Sequence, residues 1–209
     1  MTKPIITTDD VRNAQQGQIV TIPVGAIVTD LARELAAAKQ ITFKEGTPSI
    51  AHSDAPIKTT IALGADHGPS YPLKEKLKPF LEELGYTIVD CGTYSSDSVD
   101  YPDIAYAVAK QVANSTAWRG IIIDGAGIGS SMAANKVPGI RAALCYNEAM
   151  ARNSREHNDA NVLTLGSGMV GPNLVKQIVK TWLETDFGGG RHQRRVDKII
   201  QIEKRFLKR

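Results

Sequence analysis

Four groups of residues have types and spacings suited to chemistry: Asp66-His67, Asp124, His157-Asn158 and the pair Arg191 and Arg195. Asp124 ends the apolar run Gly120-Ile121-Ile122-Ile123 and opens Gly125-Ala126-Gly127-Ile128-Gly129. Glycines at alternate positions let backbone N–H groups approach a ligand without a Cβ in the way. The small residues Ser130 to Ala134 can start a helix, whose N-terminus adds partial positive charge. Such a loop suits an anion, either a phosphate or an oxyanion formed during a reaction. A carboxylate at the lip of that cradle implies chemical work for Asp124.

His67 follows Asp66 directly after a strand-like run, and an imidazole there can hold or move a proton. His157-Asn158-Asp159-Ala160-Asn161 lies between a helical and a strand-like segment; read alone, it is a capping and turn cluster. Arg191 and Arg195 are four apart, which on a helix puts both on one face and lets two guanidiniums fork onto one phosphate. The same spacing also describes a solvated basic helix.

Elements that would position these groups follow from periodicity. Thr60–Ala65, Thr87–Asp90, Gly120–Ile123, Arg141–Cys145 and Val162–Leu165 read as strands. Helical spacing covers Leu73 to Leu84, stopped by Gly85; Asp103 to Ala113; a stretch ending at Glu156; Pro172 to Leu183; and Arg191 to Lys208. Strands alternating with helices predict an α/β fold: a doubly wound parallel sheet, Rossmann-like, in three αβα layers. Ligands in such sheets bind beyond the C-terminal strand ends, which gathers Asp66, His67, Asp124–Gly129 and His157 on one edge. Gly188-Gly189-Gly190 reads as a flexible joint from which the last helix reaches a partner subunit.

Residues 1–56 read as an N-terminal extension with a linker, and 57–209 as the main domain. Within the extension, Gln18–Ile22 and Ile41–Phe43 suit strands, Leu31–Ala38 suits a helix capped by Thr29 or Asp30, and Glu45–Ala55 suits a linker.

The chain has 209 residues, 42% hydrophobic and 22% charged, as in an ordinary soluble globular protein. No secretory signal or membrane-spanning run is visible. Cys91 and Cys145 lack metal-ligand spacing, so neither zinc nor a disulfide framework is expected, and a cytoplasmic setting fits. Net charge is +3, with eight Lys/Arg against two Asp/Glu in residues 191–209. That basic tail lacks interleaved aromatics, which argues against nucleic acid.

A family resemblance rests on motifs in order: Gly64-Ala65-Asp66-His67, Val99-Asp100-Tyr101-Pro102-Asp103, Gly125–Gly129 with Ala133-Ala134-Asn135-Lys136, Gly139-Ile140-Arg141-Ala142-Ala143, Glu156–Leu163, and Gly189–Val196. Over about residues 59–205 the chain resembles the ribose-5-phosphate isomerase B family, which also holds galactose-6-phosphate and allose-6-phosphate isomerases. The resemblance implies an aldose–ketose isomerase that needs no metal or cofactor and works through a cis-enediolate. It implies ring opening by His157 with Asp66 nearby, and an enediolate oxygen held by Gly125, Ala126, Gly127, Ile128 and Gly129. It implies phosphate contacts from His67, Arg191 and Arg195, sugar contacts from Tyr101 and Asn158, and a site shared across a homodimer or a dimer of dimers. The segment Val20–Arg33 loosely resembles parts of bacterial microcompartment enzymes, which implies a shell or cargo partner for residues 1–56.

The chain departs from the family where chemistry happens. Asp124 replaces the usual proton-shuttling Cys, Ala126 the usual Thr, and Ser130 stands where a subgroup has Glu. Gly168 replaces an arginine that commonly helps hold phosphate, and Gly68–Pro72 carries an extra residue. Position, and the lack of a competing Cys or Glu in the motif, assign Asp124 as the base. The rivals are a sugar-phosphate-binding protein without catalysis, an isomerase of a hexose 6-phosphate, and a dinucleotide-binding oxidoreductase. The last fits poorly: the third glycine is Gly129 rather than residue 130, and the loop follows the third strand.

Overall fold

The computed structural model describes residues 5–8, 11, 14, 16–22, 24–45 and 59–207. The chain divides into two units, Met1–Ala55 and Pro56–Arg209. Of the expected linker, only Glu45 is among the described residues.

In the first unit, β1 (Ile5–Ile6) pairs in parallel with β3 (Ile27–Val28), and β2 (Ile19–Ile22) with β4 (Thr42–Glu45). Helix α1 (Asp30–Ala38) starts at Thr29, whose side chain accepts the Ala32 N–H at 3.4 Å. Val11, Ile22, Val28, Ala32, Ala36 and Ile41 form its core.

The second unit is built on five parallel strands: β5 (Thr60–Ala65), β6 (Thr87–Asp90), β7 (Arg119–Asp124), β8 (Ala142–Leu144) and β9 (Val162–Gly166), in the order β6-β5-β7-β9-β8. Between them run α2 (Ser70–Glu83), α3 (Tyr101–Ala113), α4 (Ile128–Ala134) and α5 (Glu148–Asn158); α6 (Pro172–Glu184) and α7 (Gln193–Leu207) follow β9. The pleat sends alternate residues to opposite faces. Ile61, Leu63, Ile121, Ile123, Leu163 and Leu165 enter one core with α2, α5 and α6, whose Leu77, Ala151 and Trp182 they meet. Ala62, Ile122 and Val162 enter the other, under Val108 of α3 and Ala134 of α4. This is the doubly wound α/β sheet in three layers. The chain steps from β5 outward to β6, then back past β5 to β7, so the strand order reverses between β5 and β7. A crevice opens at such a reversal, beyond the strands' C-terminal ends.

Two charged groups inside this frame are structural. Lys74 of α2 is fully buried, and its ammonium donates to Asp90 Oδ1 and to the Thr93 carbonyl, both at 2.7 Å. It ties α2 to the loop that leads to α3. Burial alone would raise the Asp90 carboxyl, but Lys74, Lys78 and the Gly92 N–H hold it below the usual carboxylate range. Arg119, at the start of β7, donates to the carbonyls of Trp182 and Leu183 at 2.7 and 3.0 Å and so caps the end of α6. Burial, with Arg155 as neighbour, pulls its guanidinium down to about 9.

Lys74→Met keeps the volume but leaves Asp90 and the Thr93 carbonyl without their shared donor. We expect a loss of about 3 kcal/mol of unfolding free energy, read from urea denaturation. A midpoint equal to that of the unmodified protein would show that this buried contact contributes no net stability.

Candidate functional site

The loop after β7 is held from inside. Asp124 is 5% exposed, and its carboxylate turns into the loop rather than outward from the lip. Oδ1 accepts the N–H groups of Ala126 (2.8 Å) and Gly127, and Oδ2 accepts that of Ser130 (3.0 Å). N–H groups of the loop therefore do converge on one point, and the protein's own carboxylate occupies it. Gly127 lies at φ 79°, and a Cβ there would sit 2.9 Å from the Leu165 carbonyl carbon, so this position requires glycine. Gly129 is required for a different reason: a Cβ would come within 2.6 Å of the Tyr101 ring. Tyr101, the first residue of α3, is thereby laid against the loop with 41% of its surface exposed.

Two residues that the sequence reading missed pin the loop's carbonyls. The Tyr146 hydroxyl donates to the Ala126 carbonyl at 2.7 Å, and the Thr164 hydroxyl to that of Gly127 at 2.9 Å. Thr164 was detectable as the one polar residue in the buried run Val162-Leu163-Thr164-Leu165, where a hydroxyl needs a partner. Tyr146 left no local signal.

Asp66 and His67 stand beside this loop, where the Asp66 N–H donates to Ile123 O at 2.8 Å. Asp66 Oδ1 lies 2.6 Å from His67 Nδ1 and also accepts the His67 N–H at 2.8 Å. A proton on Nδ1 leaves Nε2 as the imidazole's acceptor, on a side chain that is 41% exposed. Ser70 and Ser167 share a hydroxyl–hydroxyl bond of 2.8 Å across the same end of the sheet, next to exposed Gly168. Asp66, His67, Tyr101 and the 124–129 loop thus form one cluster at the C-terminal strand ends.

His157 does not join them, which corrects the expectation of a single edge. Helix α5 leaves the C-terminal end of β8 and returns to the start of β9, so its last turn lies at the N-terminal edge. Eleven residues of helix separate the two edges by about 16 Å. His157 Nδ1 is 2.9 Å from Asn153 Nδ2, and its ring stacks on His192 with centroids 4.2 Å apart and planes 6° from parallel. Exposed Asn158 is beside it. The neighbours Asp159 and Asn161 are structural: Asp159 takes Arg141 and Arg155, both at 2.8 Å, and Asn161 Oδ1 accepts the Arg141 N–H at 2.8 Å.

Arg191 and Arg195 share this second edge but not one helical face. Helix α7 begins at Gln193, and Arg191 lies in the preceding turn. Nor is the glycine run a free joint. Gly189 and Gly190 adopt φ 58° and 51°, the Gly188 N–H donates to Glu156 O at 2.9 Å, and Val196 of α7 is buried. Beyond Val196, Ile199, Ile202 and Phe206 remain exposed. Among the described residues no His, Cys, Asp and Glu side chains group as metal ligands, and no helix is long and apolar enough to cross a membrane.

Comparison with known proteins adds the relationship. The family profile described as Ribose/Galactose Isomerase matches residues 61–199. Ribose-5-phosphate isomerase B of Escherichia coli is 48% identical over 145 residues, 69% of this chain and 97% of that protein. D-erythrulose-4-phosphate isomerase of Pectobacterium atrosepticum is 40% identical over 148 residues, 69% of this chain and 95% of that protein. Among solved structures, ribose-5-phosphate isomerase B of Clostridium thermocellum superposes with a TM-score of 0.69 at 53% identity, covering 71% of this chain and 99% of that one. The match over residues 61–199 and these identities show that this chain belongs to the ribose/galactose isomerase family.

Proposed function

We propose that the chain is an aldose–ketose isomerase for a phosphorylated pentose, ribose 5-phosphate and ribulose 5-phosphate first among them. The observation that carries this reading is the pinned 124–129 loop, with N–H groups converging on one carboxylate, between Asp66-His67 and Tyr101. An isomerase of this kind moves a proton between C1 and C2 through a cis-enediolate, so it needs a base and a fixed set of donors for the oxygen that becomes negative. The loop supplies both. In the free protein Asp124 holds the N–H groups of Ala126, Gly127 and Ser130. When a sugar oxygen takes over the Ala126 and Gly127 donors, the carboxylate is released beside the carbon that gives up its proton. Preorganised donors cost nothing to assemble at that moment. With Gly168 in place of an arginine, the phosphate is held by fewer cations, and a four-carbon or six-carbon phosphate is the second reading.

A coupled assay tests this directly. The protein should turn over ribose 5-phosphate faster than allose 6-, galactose 6- or erythrulose 4-phosphate. Asp124→Asn keeps the shape and removes the base, so its kcat should fall by about 10²–10⁴. Full turnover in that variant removes Asp124 from the base role.

We place the complete site between two copies. His157, Asn158, Arg191 and Arg195 lie at the edge of the sheet opposite Asp124 in their own chain, and a helix about 16 Å long runs between the two edges, too far for both to serve one sugar phosphate. Edge strand β8 is only half-buried and is bordered by grooves. One, of about 350 Å³, is lined by Ile128, Met132 and Leu144; another, of about 250 Å³, by Ala142, Asn158 and Ile199. Ile128, Met132, Met150, Ile199 and Ile202 are each at least 40% exposed, an apolar margin along this edge. Two-fold pairing sets one copy's N-terminal edge against the other's C-terminal edge and completes two sites per homodimer. Co-expressed Asp124→Asn and His157→Ala chains should then recover about one quarter of the unmodified activity, since mixed dimers hold one intact site. Recovery absent from purified mixed dimers would put the whole site in one chain.

The first unit lies outside the family match and exposes Ile5, Ile19, Val24, Ile27 and Leu31 around its small core. We assign it to docking on a microcompartment shell or cargo protein. Removing residues 1–56 should leave kcat/KM within about twofold and abolish recruitment to a shell; a large loss of kcat/KM would make the unit part of the enzyme.

A further inference from the structure

His192 has no role in the reading above, yet its ring touches both halves of the proposed second-edge machinery. It is 9% exposed, in the turn that leads into α7. One face of the ring lies flat on His157 at 4.2 Å. Its Nε2 accepts the Nε–H of Arg191 at 3.4 Å. Its carbonyl accepts the N–H groups of Arg195 and Val196 at 2.9 and 3.0 Å and so sets the start of the helix that carries Arg195. Gly188 backs the ring: a Cβ there would be 3.6 Å from the His192 Cδ2.

We propose that His192 is a positioning residue that couples the phosphate contacts of Arg191 and Arg195 to the ring-opening imidazole of His157. This rests on the isomerase reading. Neither function of the ring is served by most other side chains. A flat π-surface is needed against His157, and an acceptor in the ring plane is needed for Arg191; neutral imidazole offers both. The charged and titratable groups facing it are His157 and Glu156 from α5, and Arg191 and Arg195 from its own segment. Burial first, then the neighbours His157, Arg191 and Arg195, hold its pKa below the usual histidine value, against the opposing effect of Glu156. This direction favours the neutral, accepting form of the ring that the Arg191 contact requires.

The two contacts can be separated by two substitutions in the full-length protein. Each is assayed for kinetics on ribose 5-phosphate and for competitive inhibition by inorganic phosphate. His192→Phe keeps the stack and loses the acceptor. It should raise the phosphate inhibition constant and KM about tenfold, with a smaller change in kcat. His192→Asn keeps an acceptor and loses the ring, so kcat should fall about tenfold with a smaller change in the inhibition constant. His192→Gln serves in its place if the Asn variant does not fold. Equal effects on both constants in both variants, or no effect in either, overturn the coupling. Failure of the unmodified protein to turn over any sugar phosphate would instead sink the isomerase reading beneath it.

Discussion

A carboxylate inside its own loop is the contact on which the main unit's functional edge depends. Glycine-rich backbone between a strand and a short helix points several N–H groups into one concavity. Left empty, that concavity exposes donors that nothing in the chain satisfies, and a buried unpaired donor costs about 1–3 kcal/mol. Asp124 removes this cost within the sequence itself, taking Ala126, Gly127 and Ser130. Thr164 and Tyr146 fix the carbonyl side of the same peptides. The loop is therefore formed before any ligand arrives, and the donors already face one point. A thiol at this position would be a weaker acceptor and would leave the donors to water or substrate. Aspartate instead is a resident anion that already occupies the donors, which a sugar oxygen takes over in the proposed reaction.

Topology decides what else can reach that point. In a parallel sheet every strand-to-helix connection lies at one edge and every helix-to-strand connection at the other. Asp66, His67 and Asp124 are on connections of the first kind; His157 and Asn158 are on one of the second. No side-chain adjustment spans the length of α5. Bringing these groups together requires a second sheet edge, and the apolar margin along β8 offers a surface through which a copy can supply it. On the proposed shared site, assembly is part of the chemistry rather than an addition to it.

The strands were legible because they are short apolar runs closed by polar residues, and Thr60–Ala65 and Thr87–Asp90 match the structure end to end. Glycine spacing revealed the cradle but not its occupant, because the Asp124 rotamer depends on which donors converge after folding. The edge assigned to His157 was an error of topology, and the sequence held the means to avoid it. A residue between a helix and the following strand belongs to the opposite edge from one between a strand and the following helix. Arg191 was misplaced for a local reason: two glycines at positive φ delay the helix to Gln193, and glycine alone does not announce its sign of φ.

Charge gives the two edges complementary character. The first carries Asp66 and Asp124, with His67 hydrogen-bonded to a carboxylate. The second carries Arg191, Arg195 and the stacked pair His157 and His192, in a segment where residues 191–209 hold eight cationic side chains against two acidic ones. Opposed edges of this kind attract before they touch and disfavour pairing of like edges. A sugar phosphate fits the same polarity. In the proposed site its dianion meets the guanidiniums, while its reacting carbons meet the carboxylate and the loop. In the shared site proposed above, the substrate spans the seam between copies and adds an ionic contact across it. On that proposal, Gly168 in place of an arginine moves more of the phosphate's charge compensation onto the second edge, and so onto the copy that would bring it.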